Sequence, residues 1–287
     1  MTSKHEDIEI SYSVSNDFFA LWLDKNMHYT SASYHTGDET LEVAQEQKAE
    51  ILFDYAEVKP ESLVLDIGCG WGSMLDYLIR HGVKRAHGVT LSTEQLAWIE
   101  DRKLPGVEAM LQDFNTWEPT QKYDAVVSVE MIDHICSPAQ ARQGKAVQLY
   151  REYFRRVHSM MKPGAAFACQ AILSDRVPRT RKDLEDLAFT ADVIFPGGRN
   201  PRLEEIIAAI RPYFEVEELR TQRTCYGKTT GEWYRRLQAN EAQIREQWGD
   251  QVYDEYDRYL ATCVRAFDNY WSGDVQLKLR WVEQKRR

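Results

Sequence analysis

SLVLDIGCGWG occupies residues 62–72. It opens with a short apolar run and closes with glycine at every second position. An apolar run of this length, bounded by glycines, reads as a buried strand. The glycines allow a tight turn and let a ligand approach the backbone closely. MLDYLIRHG, residues 74–82, then begins a helix that Gly82 can terminate. The spacing alone does not choose between a dinucleotide and another adenosyl ligand, because both use such glycines.

The same rhythm continues downstream. RAHGVTL is a second strand, TEQLAWIEDRKL a helix, VEAMLQD a third strand and YDAVVSVEMI a fourth. A helix through QLYREYFRRVHSMM precedes KPGAAFACQAIL, a fifth strand. Strands alternating with helices from about residue 60 to 174 predict an α/β fold, an open parallel sheet covered on both faces. Upstream, YSVSNDFFALWLD (12–24) reads as an amphipathic element with Tyr12, Phe18, Phe19, Leu21 and Trp22 on its apolar side. DETLEVAQEQKAEILFDYA reads as a helix, with Leu41, Ala44, Lys48 and Ile51 at helical spacing and Lys59-Pro60 closing it. Residues 175–210 interrupt the rhythm with a polar stretch and the turn FPGGRNP, an insertion suited to covering a substrate. EIIAAIRPYF supplies helix material, FEVEELRTQ and WYRRLQANEAQIREQW resume regular elements, and KLRWVEQKRR reads as a charged terminus.

Composition narrows the function. The chain has 287 residues, 43% of them hydrophobic, and a formal charge of −9. That suits one large domain and argues against nucleic acid, which demands a basic footprint. Arg176, Arg179, Arg181 and Lys182 lie close together, as do Arg199 and Arg202; both groups read equally well as solvated surface or as a local basic patch. No apolar run approaches a membrane span, and the N-terminus lacks the apolar stretch of a signal peptide. The five cysteines are scattered without zinc-like pairs or a disulfide framework, so a cytoplasmic setting is expected.

In sheets of this kind ligands bind beyond the carboxyl ends of the strands. Asp66 stands at the end of the first strand, where a carboxylate can compensate a cationic ligand. The second strand lacks the acidic residue that receives an NAD ribose and ends instead in Thr90 and Leu91, with Gln95 beyond. The third ends in Gln112-Asp113-Phe114, an acid and an aromatic for the edge and face of adenine. The fourth runs through Val129 into Glu130, Asp133 and His134. A positively charged sulfonium cofactor suits this lining. Metal ligation by Glu130, Asp133 and His134 is a weaker reading, because no other clear ligand pair accompanies them, and no metal is expected.

This combination resembles the S-adenosylmethionine-dependent methyltransferases. YSVSNDFFALWLD, HYTSASY, the helix carrying Lys48, DIGCGWG, GVTLSTEQ, FPGG and YGKTTGEWYRRL also follow the order found in cyclopropane-fatty-acyl synthases, especially the mycolic-acid type. The resemblance spans about residues 12–270. It implies a class I methyltransferase: a Rossmann-like sheet with helices on both faces and a helical substrate cap. The expected division is a single domain over 1–287, with its core at about 50–174 and 212–287, an N-terminal lid at about 8–35 and a cap insertion at about 175–211. The expected cofactor contacts are Tyr29, Thr30, Asp66, Gly68, Gly70, Gly72, Thr90, Leu91, Gln95, Asp113, Phe114 and Val129. Phe195, Trp233, Tyr259 and Phe267 are expected in the substrate pocket.

The resemblance also implies bicarbonate as a base. The family holds it with a cysteine after the tyrosine of the N-terminal motif, a glutamate before histidine after strand four, a histidine in strand five and a tyrosine in the cap. Here those positions are Ser31, Asp133, Gln170 and Tyr226. Only the tyrosine matches, and the three changes weaken the expectation that bicarbonate binds. Glu130 stands where the family usually has glycine. It reads as a general base, as a receiver for a substrate amine or as a contact to the cofactor's amino-acid end. Glu130, Asp133, His134 and Tyr226 are the catalytic candidates, with Ser31 and Gln170 in the base pocket.

The leading expectation is C-methylation of an unsaturated specialised metabolite, with possible deprotonation or rearrangement. The alternatives are cyclopropanation of an acyl chain or lipid, N-methylation of a small amine and an adenosyl-binding scaffold without activity. The expected partner is a small hydrophobic or amine-containing substrate, without stable membrane insertion.

Overall fold

β1 (Leu63–Ile67) is buried along its whole length. It pairs in parallel with β2 (Arg85–Thr90) on one side and with β4 (Tyr123–Val129) on the other. β3 (Val107–Leu111) extends the sheet beyond β2, and β5 (Met161–Ser174) extends it beyond β4, both in parallel. This computed structural model describes residues 14–284. Tyr12, the first residues of the expected lid and the last three residues of the charged terminus lie outside the described residues.

Two further strands complete the order β3-β2-β1-β4-β5-β7-β6. β6 (Phe214–Thr221) forms the edge, and β7 (Ser272–Trp281) runs antiparallel between β5 and β6. Here the structure corrects the sequence reading. Lys278–Trp281, read as part of a charged terminus, belong to an interior strand. Val275, Leu277 and Leu279 are buried. Lys278 and Arg280, of the alternate set, pair with Glu57 and Glu217. Two-residue alternation is a strand signal, and the charges at the chain end obscured it.

The described helices are α1 (Asn16–Ala20), α2 (Leu41–Tyr55), α3 (Ser73–Arg80), α4 (Thr93–Arg102), α5 (Pro138–Arg142) and α6 (Ala146–Met160), then α7 (Arg181–Phe189), α8 (Leu203–Ile210), α9 (Arg223–Ala239), α10 (Glu241–Trp248) and α11 (Asp250–Asp268). Side chains alternate across a strand, so β1 feeds both faces. Leu63, Leu65 and Ile67 join Phe154, Val157 and Ile206 in one core, while Val64 joins Leu52, Leu75 and Leu78 in another. Among the described residues no helix is long and apolar enough to cross a membrane.

A third apolar cluster forms the cap. Phe18, Phe19 and Trp22 from the N-terminal segment pack on Trp233, Leu237, Tyr256 and Leu260. The cap therefore draws on α9 and α11, which the expected division assigned to the core. Conversely, Ile206, Ala209 and Ile210 of α8 pack into the sheet's core rather than the cap. The reason is periodicity: α8 presents one apolar stripe to the sheet, whereas the aromatic stripes of α9 and α11 face each other and the N-terminal segment.

Candidate active site

A cleft of about 330 Å³ opens where the carboxyl ends of β1, β2, β3 and β4 meet the cap. That is the edge where open α/β sheets bind ligands, and the size is within the ordinary range for small-molecule sites.

The glycine turn forms one wall. Gly68, Gly70 and Gly72 all adopt left-handed backbone, as the tight turn requires. A side chain at Gly70 would meet nothing within 4 Å, so this glycine leaves its backbone open to a ligand. Gly72 faces inward: an added Cβ would come within 2.8 Å of Ile99, and the residue does not line the cleft. Its role is to let α3 start close to α4. Trp71 Nε1 donates to Asn16 at 2.7 Å, and Ser73 donates to the Asn26 carbonyl at 2.7 Å, so the N-terminal segment is tied onto the turn.

Around this turn lie Asp66, Thr90, Leu91, Gln95, Asp113, Phe114 and Val129, together with Tyr29 and Thr30 from the N-terminal segment. Thr90 donates to Gln95 at 2.8 Å, fixing the polar end of β2. Asp113 accepts from the backbone and side chain of Asn115, which holds its carboxylate at the end of β3. Burial pushes Asp66 up to about 7, and the positive charge of Lys48 only partly offsets that. A cationic ligand would favour its ionised form. The turn, the Asp66 carboxylate, the polar ends of β2 and β3 and the Phe114 ring therefore fit S-adenosylmethionine. Lys48 is a site residue that sequence reading passed over as a member of a helical stripe. It is buried, lines the cleft and donates to Thr30 at 2.8 Å. A lysine at an apolar spacing was the available signal.

The other wall centres on Glu130. Just beyond β4 its backbone turns left-handed, with φ 53°. Its Oε1 accepts from the Ser31 amide at 2.8 Å and from Gln170 Nε2 at 2.7 Å. Its Oε2 accepts from the Tyr226 hydroxyl at 2.6 Å. Behind it, Gln276 donates to Gln170 Oε1 at 2.8 Å and to Ser33 at 3.3 Å. That bond turns the Gln170 amino group toward Glu130. Burial pushes Glu130 up to about 7, against the hydrogen bonds from Tyr226, Ser31 and Gln170 and the charge of Lys48. Asp274, fully buried in β7, is also pushed up, first by burial and then by the charge of Glu130. Sequence reading named neither Gln276 nor Asp274, because β7 itself was not recognised.

Asp133 and His134 sit on a 3₁₀ turn after β4 and line the cleft, with Asp133 Oδ2 and His134 Nε2 3.6 Å apart. Neither is among Glu130's hydrogen-bond partners. Among the described residues no group of three or more His, Cys, Asp or Glu is arranged to hold a metal ion. Phe195, Tyr259 and Phe267 line the cleft with Tyr226, whose ring stacks on Phe267 at 4.4 Å. Trp233 does not. It is buried between Trp22, Tyr29 and Tyr226 as cap core, because its position on α9 points it at the N-terminal segment. Ser31 and Gln170 are likewise off the cleft surface, behind Glu130. Arg199 is not part of a basic patch, since Glu205 clasps it through both terminal guanidinium nitrogens.

The mycolic acid cyclopropane synthetase family model matches residues 1–277. The S-adenosylmethionine-dependent methyltransferase UmaA of Mycobacterium tuberculosis is 29% identical over 92% of this chain and 93% of that protein. The cyclopropane-fatty-acyl-phospholipid synthase of Escherichia coli is 30% identical over 93% of this chain, which spans 64% of that longer protein. The solved structure of the cyclopropane synthase MmaA2 from Mycobacterium tuberculosis superposes with a TM-score of 0.89 at 25% identity, covering 98% of this chain and 99% of that one.

Proposed function

From the premise that this chain belongs to the mycolic acid cyclopropane synthetase family and is an S-adenosylmethionine-dependent methyltransferase, we propose that it methylates an alkene carbon of an acyl chain. The observation that carries the choice of acceptor is the apolar lining of the cleft. Ile172, Leu187, Phe195, Tyr259, Ala266 and Phe267 share one cavity with the glycine turn and Glu130. Such a wall accepts a hydrocarbon, and its aromatic faces favour a carbon that becomes cationic. The names of the relatives support the same choice, since one of them makes cyclopropane-fatty-acyl phospholipid. They favour the acyl alternative over the small specialised metabolite expected first.

When bound, S-adenosylmethionine supplies an electrophilic methyl group on a sulfonium. The chain's own residues do the rest. Asp66 offers negative charge to the cationic ligand, and the open backbone at Gly70 admits it. The cap shields the cleft from water and holds the acceptor double bond in line, and such alignment lowers the barrier to transfer. Ring closure or alkene formation then requires loss of a proton inside the cleft.

The test is incubation with methyl-labelled cofactor and monounsaturated acyl lipids, alongside native cell extract, followed by mass spectrometry and NMR of the product. The expected result is label in an acyl chain that has gained a net CH₂. Label found only on nitrogen, or only in a small non-acyl product, would overturn the proposal.

A further inference from the structure

We infer that Glu130 is a built-in base occupying the position that cyclopropane synthases give to bicarbonate, so that this chain completes its reaction without bicarbonate. The inference rests on the methyl-transfer reading above.

The geometry is specific. Three of the four positions that the resemblance assigns to bicarbonate are Ser31, Gln170 and Tyr226. All three aim donors at one carboxylate, at 2.8, 2.7 and 2.6 Å, and that carboxylate is the side chain of Glu130. Bicarbonate does not fit beside it. The donors are already engaged, and a second anion would meet like charge in a buried space. Gln170 is held in its donating orientation by Gln276. The fourth position, Asp133, stands apart with His134.

The backbone shows what holds the side chain there. Glu130 has φ 53°, a conformation comfortable for glycine and strained for other residues. The chain keeps a glutamate in a glycine's conformation because the left-handed turn is what brings its carboxylate to the three donors. Hydrogen bonds to an ionised group are among the stronger ones, and three of them offset the strain.

The chemistry balances with this residue alone. Methyl transfer breaks the carbon–sulfur bond and forms a carbon–carbon bond from the alkene's π pair, leaving the neighbouring carbon cationic. A carboxylate has about four lone-pair sites, of which three are taken here. The remaining one, on Oε2, accepts a proton from the added methyl or from an adjacent carbon. The released C–H pair closes the ring or forms a double bond, and Glu130 returns the proton to solvent before the next turnover. Burial gives this carboxylate the raised basicity of an effective base near neutral pH.

Two measurements test the inference, the first without any acceptor. ¹³C-bicarbonate is titrated by NMR into the full chain loaded with S-adenosylhomocysteine. The wild type should show no binding, whereas Glu130→Gly, which vacates the carboxylate's position and relaxes the backbone, should bind. Bicarbonate on the wild type overturns the inference whatever the acceptor proves to be. The second is single-turnover methylation in carbon dioxide-free buffer with and without added bicarbonate. The wild-type rate should change by less than about twofold. Glu130→Gln, of nearly equal shape, should lose roughly 10²–10⁴-fold without recovery, the range typical of a general base. Glu130→Gly should regain at least about tenfold with bicarbonate. Wild-type turnover that tracks bicarbonate, or Glu130→Gln within about threefold of wild type, overturns it. A clean result in the first measurement with no acyl product in the second would fault the acceptor reading and leave the position of the carboxylate standing.

Discussion

The two walls of the cleft are assembled in opposite ways. At the ends of β1, β2 and β3, the fixing contacts come from near neighbours in sequence or on the adjoining strand: Thr90 is held by Gln95, Asp113 by Asn115, the glycine turn by its own Gly72-to-Cys69 bond and by the Val89 carbonyl of β2. At the end of β4, Glu130 is fixed by residues 99, 40 and 96 positions away along the chain. The first wall is thus local structure at a sheet edge, and the second exists only when lid, sheet and cap are assembled together. Under the proposed reading the walls have separate tasks, one the binding of a cofactor and the other the handling of a proton.

The strongest way to break that division is Asp66→Asn. Hydrogen bonds and contacts involving a charge are worth about 1.5–3 kcal/mol, so affinity for S-adenosylmethionine should fall roughly 10–100-fold by calorimetry. S-adenosylhomocysteine, which lacks the sulfonium charge, should lose much less. Equal losses for the two ligands would show that Asp66 does not answer the cation.

Tyr226→Phe addresses the other wall. It removes the Oε2 hydrogen bond, and turnover should fall by about tenfold while cofactor affinity stays within about twofold. The tyrosine holds Glu130 below the value that burial alone would set, so the acidic limb of the pH–rate profile should move to higher pH in the variant. Lys48 and Asp274, the other titratable groups that interact electrostatically with Glu130, are unchanged by this substitution. An unmoved limb would separate the tyrosine from the base.

Smaller effects sharpen the picture. Gly72→Ala forces a side chain against Ile99 in left-handed backbone, so thermal stability should fall by about 1–2 kcal/mol. Once folded, the variant should bind cofactor nearly as the wild type does. Of the same order is a pH dependence of stability in the unliganded protein. Glu130 is raised from 4.5 to about 7, so the stability it contributes is complete below about 4.5 and is lost as pH rises through about 7. Glu130→Gln should therefore gain in melting temperature relative to wild type across that window. A difference that does not vary with pH would mean that Glu130 titrates alike folded and unfolded.

Much of the first wall was legible in advance. DIGCGWG names its turn, and the residues ending the next strands follow at short range, so local pattern and local structure coincide. Gly72 was the exception, since spacing alone does not tell a glycine that faces a ligand from one that faces a helix. The second wall was legible only as a list of candidates. Glu130 stood out in a glycine's place, but its three donors belong to segments that meet only in the fold. Trp233 and Lys48 were misplaced for one common reason. Helical spacing identifies a buried face without saying whether that face meets a core or a cleft.

The sequence by itself determined the parallel sheet, the cofactor turn and the family, because short-range periodicity and a glycine-rich turn are written into neighbouring residues. Only the tertiary structure decided that β7 enters the sheet between β5 and β6, which residues form the cap, and that the carboxylate just beyond β4 lies among Ser31, Gln170 and Tyr226. Those facts depend on which distant surfaces pack together and on one left-handed turn at Glu130, and neither has a local signature in the chain.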